Sequence, residues 1–206
     1  MRKMISLLWI FLLFPSITWA QDKIEAPVWN VGDKWTFTQG TVEVVGADDN
    51  SFTLNFSKDS GIFESKGFEK IAYDKSSLNR TYGFKEDQRE KYTIAGRRML
   101  NFPFSLGKEW NDTYSAKVLA EVPQKGQMVD ASETFKVVGW DDVQVQAGNF
   151  KCIKLEYTQN NQTMAFSGKA TYWYAPEVKY FVKCEYDTFY FRGAQHWQLV
   201  SFKLNK

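Results

Sequence analysis

One histidine, two cysteines and five prolines are all that the 206 residues contain of three residue types that often decide chemistry or chain path. A single imidazole, His196, leaves most nucleophile and base arrangements without a base, and it stands in Gln195-His196-Trp197-Gln198 at the start of the last apolar alternation. No Gly-x-Ser-x-Gly elbow and no glycine-rich phosphate loop occurs. Cys152, Cys184 and His196 together fall short of the four ligands of a structural zinc site. Asp48-Asp49-Asn50 and Asp141-Asp142 lack the spaced acidic pattern of a calcium loop and read as solvated turns. The sequence therefore points to no metal, no cofactor and no enzyme. A carboxylate pair assembled from distant strands is the one hydrolytic arrangement left open.

Charge of one sign is also missing, with 26 Lys and Arg against 24 Asp and Glu. Arg2 and Lys3 belong to a leader, and without them 24 basic residues face 24 acidic ones. That balance excludes a broad nucleic-acid footprint, which needs basic residues in excess on one face. The leader reads from Met1-Arg2-Lys3 through the apolar stretch of residues 4–14 to Thr18-Trp19-Ala20, where small residues at −3 and −1 suit a secretory peptidase cutting after Ala20. The apolar stretch is too short to span about 30 Å of hydrocarbon. No other apolar run of membrane-spanning length follows, so residues 1–20 are expected to be a signal peptide and residues 21–206 one soluble, periplasmic or secreted domain.

What is present in quantity is aromatic side chains, 17% of the chain, in a pattern of period two. Trp35 and Phe37 alternate with threonines. Phe52, Leu54 and Phe56 alternate with polar neighbours, and the turn-forming run Ala47-Asp48-Asp49-Asn50 between the two sets predicts a hairpin over residues 34–58. Ser60-Gly61 predicts a further turn into a strand from Ile62. Beyond residue 130 the pattern strengthens: a strand through Phe135, Val137 and Val138 that stops at Gly139, a turn at Gln146-Ala147-Gly148-Asn149, and a strand over 150–159. A pair over 169–175 and 179–191 follows, and then a last run with Val200, Phe202 and Leu204 on one face. Residues 76–98 carry neither period cleanly, leaving a short helix, a hairpin or a loop open. No segment shows an amphipathic helix with caps. The expected fold is all-β: about ten strands in one curved antiparallel sheet, half-barrel or barrel-like, with a two-layer sandwich as the alternative.

Alternation puts Cys152 on a polar face with Lys154 and Glu156, and Cys184 on an apolar face with Tyr180 and Val182. With a strand between them the sulfurs would lie on the order of 10 Å apart. An exported protein with two cysteines can form a Cys152–Cys184 disulfide, but this placement favours free thiols.

Two stretches, Pro27-Val28-Trp29-Asn30-Val31-Gly32-Asp33-Lys34-Trp35-Thr36-Phe37 and Val143-Gln144-Val145-Gln146-Ala147-Gly148-Asn149-Phe150, resemble a group of exported bacterial β-proteins of unknown function, the DUF3108-like proteins. So do Tyr172-Trp173-Tyr174-Ala175-Pro176-Glu177-Val178-Lys179 and the element from Asn101-Phe102-Pro103 through Gly107 to Trp110. The resemblance implies a periplasmic β-rich domain, similar to lipoprotein-carrier half-barrels that wrap an apolar cavity, and it implies no catalytic residue. Without it, Gly32-Asp33, Gly148 and Pro176 read as turn residues that serve the scaffold.

The aromatic concentration is the remaining lead. Trp173 points one way from its strand and Tyr172 with Tyr174 the other, so both faces carry ring area. One face is core; the other is a cavity lining, a partner surface or a second layer of core. Trp35, Phe37, Tyr172, Trp173, Tyr174 and Tyr180 are accordingly the candidate ligand-binding residues. The function expected is noncatalytic binding of a lipid or other hydrophobic envelope component, the alternative being an envelope protein docked on exposed aromatic strands.

Overall fold

A computed structural model describes residues 23–57, 69–85, 88–91, 98, 100–117, 128–161, 166–187 and 196–206. The leader with its cut after Ala20, the turn at Ser60-Gly61 with the strand expected from Ile62, and the C-terminal end of the 179–191 strand lie outside the described residues. Among those described there is no helix. Twelve strands are present: β1 Lys34–Phe37, β2 Gly40–Ala47, β3 Ser51–Phe56, β4 Lys70–Asp74, β5 Arg80–Lys85, β6 Gln88–Lys91, β7 Glu109–Lys117, β8 Met128–Val145, β9 Gly148–Asn161, β10 Phe166–Ala175, β11 Tyr180–Tyr186 and β12 Trp197–Lys203. They form one antiparallel sheet in the order β6-β5-β4-β3-β2-β1-β12-β11-β10-β9-β8-β7.

The chain thus starts at the centre, winds out to β6, crosses to the opposite edge at β7 and winds back to pair β12 with β1. β6 and β7 are the sheet's edges, so the barrel does not close. A continuous single sheet also replaces the two-layer alternative. Curvature follows from the ring contacts. Tyr73 on β4 and Tyr180 on β11 are five strand spacings apart, about 24 Å on a flat sheet. Both nevertheless have ring centroids 5.9 Å from that of Trp29. The sheet wraps around the segment that carries Trp29.

The expected strands differ from the observed ones for local reasons. The hairpin over 34–58 is three strands, because Gly40 at φ +133° follows a two-residue turn and lets Val42 and Val44 bury a strand of their own. Gly139 does not end a strand: β8 runs through it, and the register against β9 shifts between Val137 and Gly139. A glycine inside a strand marks a bulge as readily as an end. In the region left open, β5 and β6 pair antiparallel, and their polar composition suits a sheet edge. On β12 a shift opposite Thr36 and Phe37 breaks the expected face: Trp197 and Leu199 are buried, Val200 is half-buried, and Phe202 is 38% exposed.

Two non-strand pieces lie across the wrapped face. Ile24 and Phe104 exchange both backbone hydrogen bonds, at 2.8 Å each. Phe104 in turn stacks on Phe102 and Trp110 and meets the edge of Tyr174. Lys108 ties this crossing segment down by donating to the carbonyl of Pro103 at 2.9 Å, while Gly107, at φ +78°, bonds Val137. The sheet's inner face, the N-terminal segment and the crossing segment share one hydrophobic core.

Candidate functional site

All six candidate aromatics are buried. Trp35 stacks on Tyr180 at 4.7 Å, Phe37 lies 6.0 Å from Tyr180 and 5.0 Å from Trp197, and Tyr172 and Tyr174 each lie 5.5 Å from Phe181. At these separations the rings touch, and nothing of ligand size fits between them. The structure brings these five together as packed core rather than as a cavity lining. Burial holds the phenols of Tyr174, Tyr180 and Tyr186 above the usual tyrosine range. Among the described residues, the aromatic side chains of β10 from Tyr172 and of β11 are buried or half-buried rather than exposed.

Trp173 is separate from the five, on the outer face of the sheet. Its indole Nε1 donates to Asp141 Oδ2 at 3.0 Å, and the ammonium groups of Lys154 and Lys183 lie 5.9 and 4.8 Å from its ring centroid. Long lysine stems cover it from solvent. Cys152, opposite Asp141 on this face, is fully buried, and burial aided by Asp141, Glu177 and Asp142 pushes its thiol up to about 12. Cys184 is opposite Tyr172 on the inner face, and burial raises its thiol as well. The two cysteines are free thiols on opposite sides of the sheet with β10 between them. That geometry, not the redox compartment, rules the bridge out.

The groups with residual catalytic interest are engaged structurally. His196 Nδ1 accepts the Tyr186 amide at 3.1 Å. Asp33 is buried at a turn, where Oδ2 accepts the Asn30 amide at 2.9 Å and Oδ1 the Asn205 amide at 2.7 Å. Glu133 is buried and accepts the Tyr157 hydroxyl. Among the described residues no group of three His, Cys, Asp or Glu is placed to hold a metal, and no helix is long and apolar enough to cross a membrane.

The turn after β10 is where distant motifs meet. The Trp35 indole donates to the carbonyl of Val178 at 2.8 Å, and the Trp29 indole to that of Lys179 at 2.9 Å. Lys179 has φ +59° and returns its ammonium to the Val28 carbonyl at 2.8 Å. Gly32, at φ +88°, leaves room for Asn205, whose side-chain amide bonds the Val31 carbonyl at 2.8 Å. The segment before β1 is thereby fastened along its inner side.

Its outer side is open. Val28 is 69% exposed and Val31 52%, and between them, Ala47, Phe52 and Lys75 lies a groove of about 470 Å³ bounded by residues 26–31. Trp29 and Phe52, 5.6 Å apart, line it with buried rings. Lys75 sits 5.0 Å over the Phe52 ring and donates to the Asp48 carbonyl. None of the six candidates lines this groove. The signal that would have found it is Pro27-Val28 and Val31, apolar residues outside any alternating run and next to a turn, where no sheet face can cover them.

The sequence model of the DUF3108-like proteins matches residues 41–188. The chain belongs to the DUF3108-like family. The match starts after the groove-forming residues 26–31, so the groove lies partly outside what that model describes. Among curated proteins none matches the sequence. The solved structures similar to it include these three. A Bacteroides fragilis protein described as exported and YmcC-like in fold is 15% identical, with TM-score 0.47, over 88% of this chain and 99% of its own. The hypothetical lipoprotein YmcC from Escherichia coli is 7% identical, with TM-score 0.43, over 87% and 91%. A protein from Parabacteroides distasonis described as a lipoprotein is 11% identical, with TM-score 0.42, over 89% and 100%.

Proposed function

We propose that this DUF3108-like protein is a noncatalytic, exported binding domain that holds the apolar part of an envelope component in the groove beside residues 26–31. The observation that carries the proposal is the groove itself: about 470 Å³, within the roughly 300–1,000 Å³ usual for small-molecule sites, and edged by two valines left in water. Val28 and Val31 are exposed together at its rim, and adjoining exposed apolar side chains mark an interaction surface more than scattered ones do. The secretory pattern of residues 1–20 supports a periplasmic or secreted location, where lipids and other hydrophobic components are at hand. A second reading, docking of an envelope protein, is favoured by the nine-residue edge strand β7, which could accept a partner's strand.

Native mass spectrometry with solvent extraction, on protein purified without detergent, tests the first reading. A stoichiometric apolar adduct that the double variant Val28→Asn, Val31→Asn no longer carries is expected. A clean apo mass, or an adduct the variant retains, overturns it.

A further inference from the structure

Lys75 is the one charged residue in the groove lining. Its ammonium has three donors; among the described residues it uses one, on the Asp48 carbonyl, and otherwise lies over the Phe52 ring. Asp48, whose carboxylate feels the Lys75 charge, and Asp74 spend their hydrogen-bonding oxygens on their own turns. Asp48 accepts the Asn50 and Ser51 amides at 2.9 and 2.7 Å and the Ser51 hydroxyl at 2.8 Å. Asp74 accepts the amides of Ser76 and Ser77 at 3.0 and 2.9 Å together with both hydroxyls. Asp49 is exposed and outside the lining. The groove is thus an apolar trough with one cationic side chain, and its volume corresponds to about 16 water-sized groups at about 30 Å³ each, room for one alkyl chain.

Resting on the binding function proposed above, we infer that the groove takes a single-chain amphiphile with a monoanionic head, of the fatty-acid type: the chain lies along Val28, Trp29 and Phe52, and the carboxylate meets Lys75. A charge-assisted hydrogen bond to a partly desolvated carboxylate gives the anion its preference over a neutral chain of equal length. A cationic amphiphile is disfavoured by the sign of the lining.

Titration calorimetry on the full chain, with decanoate, decanol and decyltrimethylammonium below their aggregation limits, tests this. Decanoate is expected to bind about tenfold tighter than decanol. The cation should bind more weakly than either. Lys75→Met should erase the preference without weakening decanol, and Val28→Asn with Val31→Asn should weaken decanol and decanoate alike. If decanol and decanoate bind the wild type equally and Lys75→Met changes neither, the head-group inference falls while the groove stands. If no probe binds, or the double asparagine variant binds all three unchanged, the groove function falls and the inference with it.

Discussion

Along residues 26–31 the chain turns Trp29 inward and Val28 and Val31 outward, and the two sides are held by different means. On the inner side, the indoles of Trp29 and Trp35 cap the carbonyls of Lys179 and Val178, and Asp33 gathers the amides of Asn30 and Asn205. Apolar area and buried polar atoms are satisfied together there. The outer side has comparable apolar character at Val28, Val31 and Phe52, but an ammonium and open solvent complete it. Burial with every polar group answered makes a core. Exposed apolar surface beside an ammonium makes a place for a ligand.

The difference can be broken from the inner side first. Trp35→Ala removes a fully buried ring and the donor to Val178, and a loss of about 3–5 kcal/mol is expected in urea unfolding. Trp35→Phe keeps most of the ring and should cost about 1–3 kcal/mol through the orphaned Val178 carbonyl. If the phenylalanine variant is as stable as wild type, the indole bonds are incidental to the fastening.

Gly32→Ala comes next. An added Cβ would sit 2.3 Å from Asn205 Nδ2, so the side chain must release the Val31 carbonyl, and φ is positive besides. Gly107→Ala, also at positive φ but with nothing within 4 Å of the new atom, is the control for backbone strain alone. Strain of about 1–2 kcal/mol is expected at both sites, with a larger total at Gly32. Equal losses would show that the Asn205 side chain contributes nothing to the fastening.

The buried phenols sharpen the comparison through pH. Tyr174, Tyr180 and Tyr186 have folded values above the unfolded one, so the folded state keeps protons that the unfolded state gives up. Their contribution is complete below a pH of about 10 and is lost as pH climbs beyond it toward the folded values. Unfolding midpoints should therefore fall steeply above about pH 10, with phenolate absorbance from these three appearing only on unfolding. Phenolate formation ahead of unfolding would mean the inner face admits solvent as the groove does.

The smallest expected effect on stability is on the outer side. Val28→Asn with Val31→Asn should change the unfolding free energy by no more than about 0.5 kcal/mol, because both side chains already stand largely in water. A loss of several kcal/mol would place them in the core and remove the contrast.

The aromatic strands were legible from the start because period two is a local property. The packing of Trp35, Phe37, Tyr172, Tyr174 and Tyr180 was not. Alternation assigns a ring to a face and is silent on whether the opposite side is another ring or a ligand, so residues rich in ring area read equally as core and as cavity. Trp173 shows the converse. Its placement away from Tyr172 and Tyr174 follows from alternation, but its burial depends on Lys154 and Lys183 from neighbouring strands. The end expected for β8 at Gly139 and the face expected for β12 differ from the structure where bulges shift the register, since one unpaired residue reverses every later side chain.

By itself the sequence determined the all-β class, the turns at Gly32, Gly148 and Pro176, and the poverty of groups for nucleophilic or metal chemistry. These depend on residue type and near-neighbour spacing, which the chain carries wherever it goes. Tertiary structure alone decided that β1 pairs with β12, that the segment around Trp29 is wrapped by the sheet, and that Val28, Val31, Phe52 and Lys75 converge on one groove. Contacts such as Trp29 to Lys179 join positions 150 residues apart. No local pattern encodes them, because they arise only when a curved sheet brings both ends of the chain to the same place.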